Sequence, residues 1–356
     1  IGSGTGRYVA AIRAAQLGVR AAVIERAPVL GGTCLNWGCI PTKALLEHAH
    51  ALKIAQSWKE WGLTLRPGSG PAPLGSGQAL RLGSGQVALD ESAFGLDMAQ
   101  VHARKDKIVK GLTGGVEFLF KKNKITWIKG TGKLKDAKTL SVKGADGKEE
   151  LHTAKKALII CTGSRVKGLP QAGLEVNRKT VITSDEALIL EKAPKTMAIV
   201  GAGAVGSEFA DVFAAFGTQV SLIEVMPNIL PVEDTDSSKE VERAFKKRKI
   251  DVLTGAKISN VKVAKDSVSM SVDAGGTKTD LKVDVVPVAA GRAPNVEDIG
   301  LKELNVQMTD RGFIKINEKM QTSVPGVYAI GDVAGPPMLA HKGEREGIIA
   351  AETIAG

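Results

Sequence analysis

Two stretches of this 356-residue chain carry the same succession of apolar and polar positions. In the first, Tyr8 to Leu17 is alanine-rich and reads as a helix, and Gly18 ends it. The apolar run Ala21-Ala22-Val23-Ile24 then predicts a buried strand closed by Glu25. In the second, Met197-Ala198-Ile199-Val200 predicts a buried strand and a helix follows to Phe216. Gly217 stops that helix, and Val220 to Ile223 reads as a strand ending at Glu224. Short apolar runs of this kind bounded by turn residues mark fully buried strands, and their alternation with helices favours a parallel sheet. Elsewhere, Met98 to Lys121 reads as an amphipathic helix interrupted by Gly111, Gly114 and Gly115. Ile125–Ile128, Leu140–Val142 and Ala157–Cys161 look like further strands. Residues 66–90 break the pattern: Leu-Gly-Ser-Gly-Gln occurs there twice, at Leu74–Gln78 and Leu82–Gln86, which predicts a flexible insertion.

Each copy has a glycine-rich turn in the same place. Gly2-Ser3-Gly4-Thr5-Gly6-Arg7 opens the first helix, and Gly201-Ala202-Gly203-Ala204-Val205-Gly206 opens the second. The first glycine permits a tight turn, the second lets backbone approach a pyrophosphate, and the third lets the helix pack on its strand. The helix N-terminus offers unpaired N–H groups and the positive end of its dipole to phosphates. An acid after the next strand suits a ribose diol, and Glu25 and Glu224 stand at equal offsets after Gly2 and Gly201. The chain thus reads as two dinucleotide-binding units. Arg7 is the exception, because it fills the third glycine slot with a long side chain that crowds the helix–strand contact.

Composition narrows the rest. Hydrophobic residues make up 43% and charged residues 24%, as in a globular chain with a sizeable core. The net charge is +10, but the basic residues are scattered and only two Tyr and eight Phe are available for stacking. We read the charge as a solvated basic face, not a nucleic-acid surface. No apolar run approaches a bilayer span and no secretory leader is evident, so a cytoplasmic chain is expected. Three cysteines are too few for a secreted disulfide scaffold or a four-thiolate zinc site. A mixed site would need His48 and His50, on a helix leading away from Cys34 and Cys39. No metal is therefore expected, and redox chemistry suits the close pair better. Pro41 favours a helix start beside Cys39, where the dipole stabilises a thiolate, and Lys43 adds positive charge one turn on. Such a pair suits dithiol–disulfide exchange. Cys161, far away in sequence, reads as a small buried hydrophobe.

The run Gly31-Gly32-Thr33-Cys34-Leu35-Asn36-Trp37-Gly38-Cys39-Ile40-Pro41-Thr42-Lys43-Ala44-Leu45-Leu46 resembles the redox-active segment of the class I pyridine nucleotide–disulfide oxidoreductases, closest to their dihydrolipoamide dehydrogenase branch. Thr162-Gly163-Ser164, Gly291-Arg292-Ala293-Pro294-Asn295, Tyr328-Ala329-Ile330-Gly331-Asp332 and Met338-Leu339-Ala340-His341 stand where that family places them. The resemblance covers nearly the whole chain apart from the insertion. It implies an α/β fold of two Rossmann-like, glutathione-reductase-like domains. An FAD-binding domain, residues 1–170 and 293–356, would have an NAD-binding domain, 171–292, inserted into it.

It also implies roles. Cys34 would exchange with substrate, Cys39 would meet the flavin, and Lys43 would lie near the flavin and pair with Glu208. Glu25 would hold the FAD adenosine ribose and Asp332 the ribityl chain. Gly2, Gly4, Gly6, Arg26, Gly32, Thr33, Gly132, Thr162, Gly163, Ser164, Met338, Leu339, Ala340 and the backbone of His341 would line the FAD. Gly201, Ala202, Gly203, Ala204, Val205, Gly206, Glu208, Glu224, Ile258 and Gly291 would line the NAD. The implied reaction is oxidation of dihydrolipoyl groups, carried by 2-oxoacid dehydrogenase or glycine cleavage complexes, with electrons passing through Cys39 to FAD and on to NAD⁺. The full-length enzyme would be a homodimer without nucleic-acid or membrane partners. An NADPH-dependent relative, such as a glutathione or mercuric reductase, and a non-catalytic nucleotide-binding remnant are the alternatives. The family pattern is broken at three places: only Ile1 precedes the first turn, Arg7 replaces a glycine, and the chain stops at Gly356. In the family a dimer domain follows, with a His–Glu pair for the partner's active site. The expectation is weakened FAD binding and little lipoamide turnover by this chain.

Overall fold

The computed structural model describes residues 1–63 and 94–356, so the insertion at 66–90 lies outside the described residues. The helices are α1 (Thr5–Gln16), α2 (Gly32–Asn36), α3 (Cys39–Gln56), α4 (Met98–Lys122), α5 (Ser184–Ala187), α6 (Ala204–Ala215), α7 (Thr235–Lys247) and α8 (Ala340–Ala355).

Two parallel sheets are built alike. In the first, Thr126–Lys129 pairs with Ala22–Glu25, and Val327–Ala329 pairs with Leu158–Ile160. Ile1 stitches these pairs together. Its N–H donates to Ile159 O at 2.9 Å, its carbonyl accepts from Cys161 N at 3.2 Å, and Gly2 N donates to Ile24 O at 2.7 Å. In the second, Asp251–Leu253, Gln219–Ile223 and Thr196–Val200 lie side by side. Val285 and Val288 continue the sheet beside Met197 and Val200, and Val181–Ile182 closes it beside Val286–Pro287. Each sheet is followed by a three-stranded antiparallel meander: Thr131–Leu134, Thr139–Lys143 and Glu149–Thr153 in the first, Ala256–Val263, Val268–Ala274 and Thr277–Val283 in the second. The repeat seen in the sequence therefore extends past the acids, into segments whose side chains share no obvious motif. The chain leaves the first sheet through Ser164–Val166 and returns through Arg292–Pro294, and the two segments pair antiparallel.

Ala22–Glu25, Thr196–Val200 and Gln219–Ile223 are largely buried because helices cover one face of each sheet and the meander the other. Met197, Ile199 and Leu222 pack with Phe209 and Phe213 of α6, whose rings stack at 6.1 Å between centroids. Leu45 of α3 and Val101 of α4 are buried in the same cluster, so the helices after the cysteines are part of the second sheet's core. On the first sheet, α8 lies against α1 through glycines: a Cβ on Gly6 would stand 2.6 Å from Gly343 O. That approach brings the start of α8 beside the first glycine turn.

One expectation needs correcting. α4 runs unbroken through Gly111, Gly114 and Gly115. Each glycine weakens a helix by about 1 kcal/mol relative to alanine. Burial of Val101, Thr113, Val116 and Phe120, an Asp97 side-chain cap on Ala99 N and Gln100 N, and Lys121 and Lys122 in the last turn outweigh that penalty. Among the described residues no helix is long and apolar enough to cross a membrane.

Candidate active site

Cys34 and Cys39 form a disulfide, with Cα atoms 4.7 Å apart. Gly31 and Gly32, at φ +105° and +60°, turn the chain into the short helix that carries Cys34. Asn36 Nδ2 secures this turn by donating to Leu30 O at 2.9 Å and Gly32 O at 3.0 Å. Gly32 packs directly on the Cα of Gly4, leaving no room for a side chain, so the redox segment is pressed against the first glycine turn. Cys39 is the first residue of α3, after the N-cap Gly38. Thr42 braces the start of that helix, its Oγ1 donating to Gly38 O at 2.7 Å. Cys39 thus sits at the positive end of an 18-residue helix, a place that lowers a thiol's pKa.

Lys43 Nζ pairs with Glu208 Oε1 at 2.6 Å. The pair joins α3 to α6 and holds an ammonium one turn from Cys39. A second link between these helices, Lys53 Nζ to Asp211 Oδ1 at 2.7 Å, is shared with Arg248. His48 and His50 lie on α3, leading away from the disulfide.

Both glycine turns fit a dinucleotide. Gly2 and Gly201 adopt φ +92° and +102°, a region that favours glycine. A side chain at Gly4 or Gly203 would meet nothing, so open space lies where the backbone is to approach a pyrophosphate. Glu25 and Glu224 are both buried at the ends of their strands. Glu224 accepts from Ala202 N at 2.7 Å and from Met226 N at 2.9 Å. Glu25 accepts from Ala27 N at 2.8 Å. Arg26 and His341 are exposed, and Thr33 is exposed beside Cys34. Gly132 backs onto Ile1 and Ile24. Gly291, at φ +112°, is an open turn just before the returning segment. Ile258 lies on the second meander, half-buried against that sheet's core.

Three residues not singled out as ligands assemble the region around Asp332. Ser164 Oγ donates to Asp332 and accepts from Arg292 Nε at 2.6 Å, while Arg292 Nη2 donates to Ser164 O at 2.8 Å. Asn295 Nδ2 donates to Thr162 O at 2.9 Å. Glu346 of α8 accepts from Gly331 N at 2.6 Å and pairs with Lys342 at 2.8 Å. Arg292 and Asn295 were visible in the Gly-Arg-Ala-Pro-Asn motif, but their work is to fasten the leaving and returning segments together. Glu346 carried no sequence signal.

Cys161 is buried beside the first turn, and burial pushes its thiol pKa up. A raised pKa keeps it in the unreactive thiol form. Native protein at mildly alkaline pH is therefore expected to leave Cys161 unalkylated by iodoacetamide, with labelling only after unfolding. Mass-spectrometric mapping of labelled native protein checks this, and rapid modification of Cys161 would contradict it.

The chain belongs to the pyridine nucleotide-disulphide oxidoreductase family, whose model matches residues 1–347. Among curated relatives, it is 38% identical over 359 residues to dihydrolipoyl dehydrogenase 1, mitochondrial, of Arabidopsis thaliana, covering 100% of this chain and 65% of the relative. It is 41% identical over 357 residues to the dihydrolipoyl dehydrogenase of Mycobacterium tuberculosis, covering 100% of this chain and 70% of the relative. The chain thus spans about two thirds of the length of these relatives. The crystal structure of LpdA from Mycobacterium tuberculosis shares the fold, with a TM-score of 0.83 at 21% identity, over 99% of this chain and 71% of that one.

Proposed function

We propose that the chain is the FAD- and NAD-binding core of a dihydrolipoyl dehydrogenase. The observation that carries the reading is the Cys34–Cys39 disulfide at the start of α3, seated on one glycine turn and tied by Lys43–Glu208 to the helix of the other. Residues 1–170 and 293–356 form the FAD domain in this reading and 171–292 the NAD domain. The pairing of Ser164–Val166 with Arg292–Pro294 supports the boundaries.

A dihydrolipoyl thiolate attacks Cys34 Sγ and breaks its bond to Cys39. A mixed disulfide forms, and Cys39 leaves as a thiolate. The second substrate thiolate then attacks the substrate sulfur of that mixed disulfide, which closes the lipoyl ring and releases Cys34 as a thiolate that takes up a proton from solvent, matching the one the second substrate thiol gave up. The N-terminus of α3 and the Lys43 ammonium stabilise the Cys39 thiolate, and Glu208 keeps Lys43 in place. When bound, FAD and NAD⁺ supply the two-electron acceptors that return the pair to its disulfide form. Glu25 and Asp332 are assigned to FAD, and Glu224 to the adenosine ribose of NAD. The substrates are dihydrolipoyl groups of 2-oxoacid dehydrogenase or glycine cleavage complexes, and the whole enzyme is a cytoplasmic homodimer.

Anaerobic titration of the FAD-loaded chain tests the reading. Dihydrolipoamide is expected to generate two titratable thiols, and NAD⁺ to consume them again with NADH appearing. A disulfide that reduced glutathione opens readily and dihydrolipoamide does not would overturn the substrate assignment.

A further inference from the structure

The two glycine turns are an internal control for each other. They share three backbone bonds. Gly2 N donates to Ile24 O at 2.7 Å as Gly201 N does to Ile223 O at 2.8 Å. Ser3 O accepts from Gly31 N at 3.1 Å as Ala202 O does from Leu230 N at 2.7 Å. Tyr8 N donates to Gly4 O at 3.1 Å as Ser207 N does to Gly203 O at 3.0 Å. They differ at the sixth residue. A Cβ on Gly206 would collide with Gly201 O, so the second turn closes as it does only because Gly206 has no side chain. Arg7 puts a Cβ and a guanidinium at that point in the first turn.

The effects are visible around it. In the second turn the acid is tied to the turn itself, Glu224 accepting from Ala202 N at 2.7 Å. Among the described residues Glu25 accepts no such bond from Ser3 N and keeps only the bond from Ala27 N at 2.8 Å. The Arg7 guanidinium is buried on the sheet side, with Nη1 donating to Ile24 O at 3.1 Å and Nη2 2.8 Å from where a Gly2 Cβ would stand. Among the described residues six buried side-chain polar atoms lack a partner. Three of them, Ser3 Oγ and Arg7 Nε and Nη2, are in this turn, and none is in the second. Burial lowers the Arg7 pKa to about 10, so the group remains a cation at neutral pH beneath the turn. The guanidinium is buried against Ile24 O and Gly2, so it presents no exposed donor to a phosphate. What the turn loses is preorganisation, and binding strength depends on it.

We infer that Arg7 holds the first glycine turn away from its closed geometry, so that FAD binds as a readily dissociable ligand, while the second turn is preformed for NAD. The inference rests on the reading of the first turn as the flavin site. The test is titration of flavin-free protein with FAD, read by flavin fluorescence, for the parent, Arg7→Gly and Arg7→Ala, with NADH binding as the control. Arg7→Gly is expected to tighten FAD binding at least tenfold and Arg7→Ala by less, since alanine keeps a Cβ at the position where the second turn has none. The NADH affinity is expected to stay within twofold. Equal FAD affinity in all three proteins, or weaker binding by Arg7→Gly, would overturn the role given to Arg7. Absence of FAD binding by every protein, with NADH binding intact, would instead overturn the flavin reading of the turn.

Discussion

A Cys39→Ser variant is expected to gain no thiols on reduction, whereas the parent gains two. In the oxidised parent Cys34 and Cys39 are joined and Cys161 is buried, so a surface thiol reagent finds nothing in the native protein. Reduction by dihydrolipoamide opens the pair. In the variant Cys34 is a free thiol from the start, and the count stays at one whether or not dihydrolipoamide is present. The exchange fails completely because without Cys39 there is no sulfur–sulfur bond for a substrate thiolate to break. Thiol titration of native protein before and after reduction measures this. A variant that still yields two new thiols would show that Cys161 takes part in the exchange, against its burial.

NADPH is expected to reduce the FAD-loaded protein at least 100-fold less efficiently than NADH. That ratio corresponds to about 2.7 kcal/mol at 1.36 kcal/mol per tenfold. The cause is local. The Glu224 carboxylate is buried and held by Ala202 N and Met226 N, so it cannot swing away from a 2′-phosphate. Val225, Met226 and Pro227 offer no cation to compensate, where NADP sites supply an arginine. Bringing a phosphate against a buried carboxylate combines like-charge repulsion with desolvation. Glu224→Gln removes the charge and keeps the shape, so it is expected to narrow the preference by about tenfold while leaving the thiol count unchanged. Stopped-flow reduction with each nucleotide decides the matter. Faster reduction by NADPH at lower concentration would return the chain to the glutathione-reductase side of its family.

Much of this was legible without coordinates. The glycine turns, the acids that follow them and the disulfide segment are local devices. Their physics is set by residues close together in the chain: a φ only glycine favours, a helix dipole at Cys39, a strand that must be apolar because both faces of its sheet are covered. The break at Arg7 was legible for the same reason. The three glycines of α4 were misread because a local propensity of about 1 kcal/mol per residue was weighed without the burial that outweighs it. Other features needed the fold. Ile1 and Gly2 join two pairs of strands, Arg292 reaches Ser164 and Asp332, and Glu346 holds Gly331. The identity of these residues was open to inspection. Their partners were not, because an arginine or glutamate side chain has no periodicity and its contact is decided by where distant segments are carried. The orphaned donors of Arg7 belong here too: the sequence showed a side chain too large for its slot, but only packing against Ile24 and Gly2 determined that its guanidinium would be buried with one bond, to Ile24 O, and with Nε and Nη2 unpartnered.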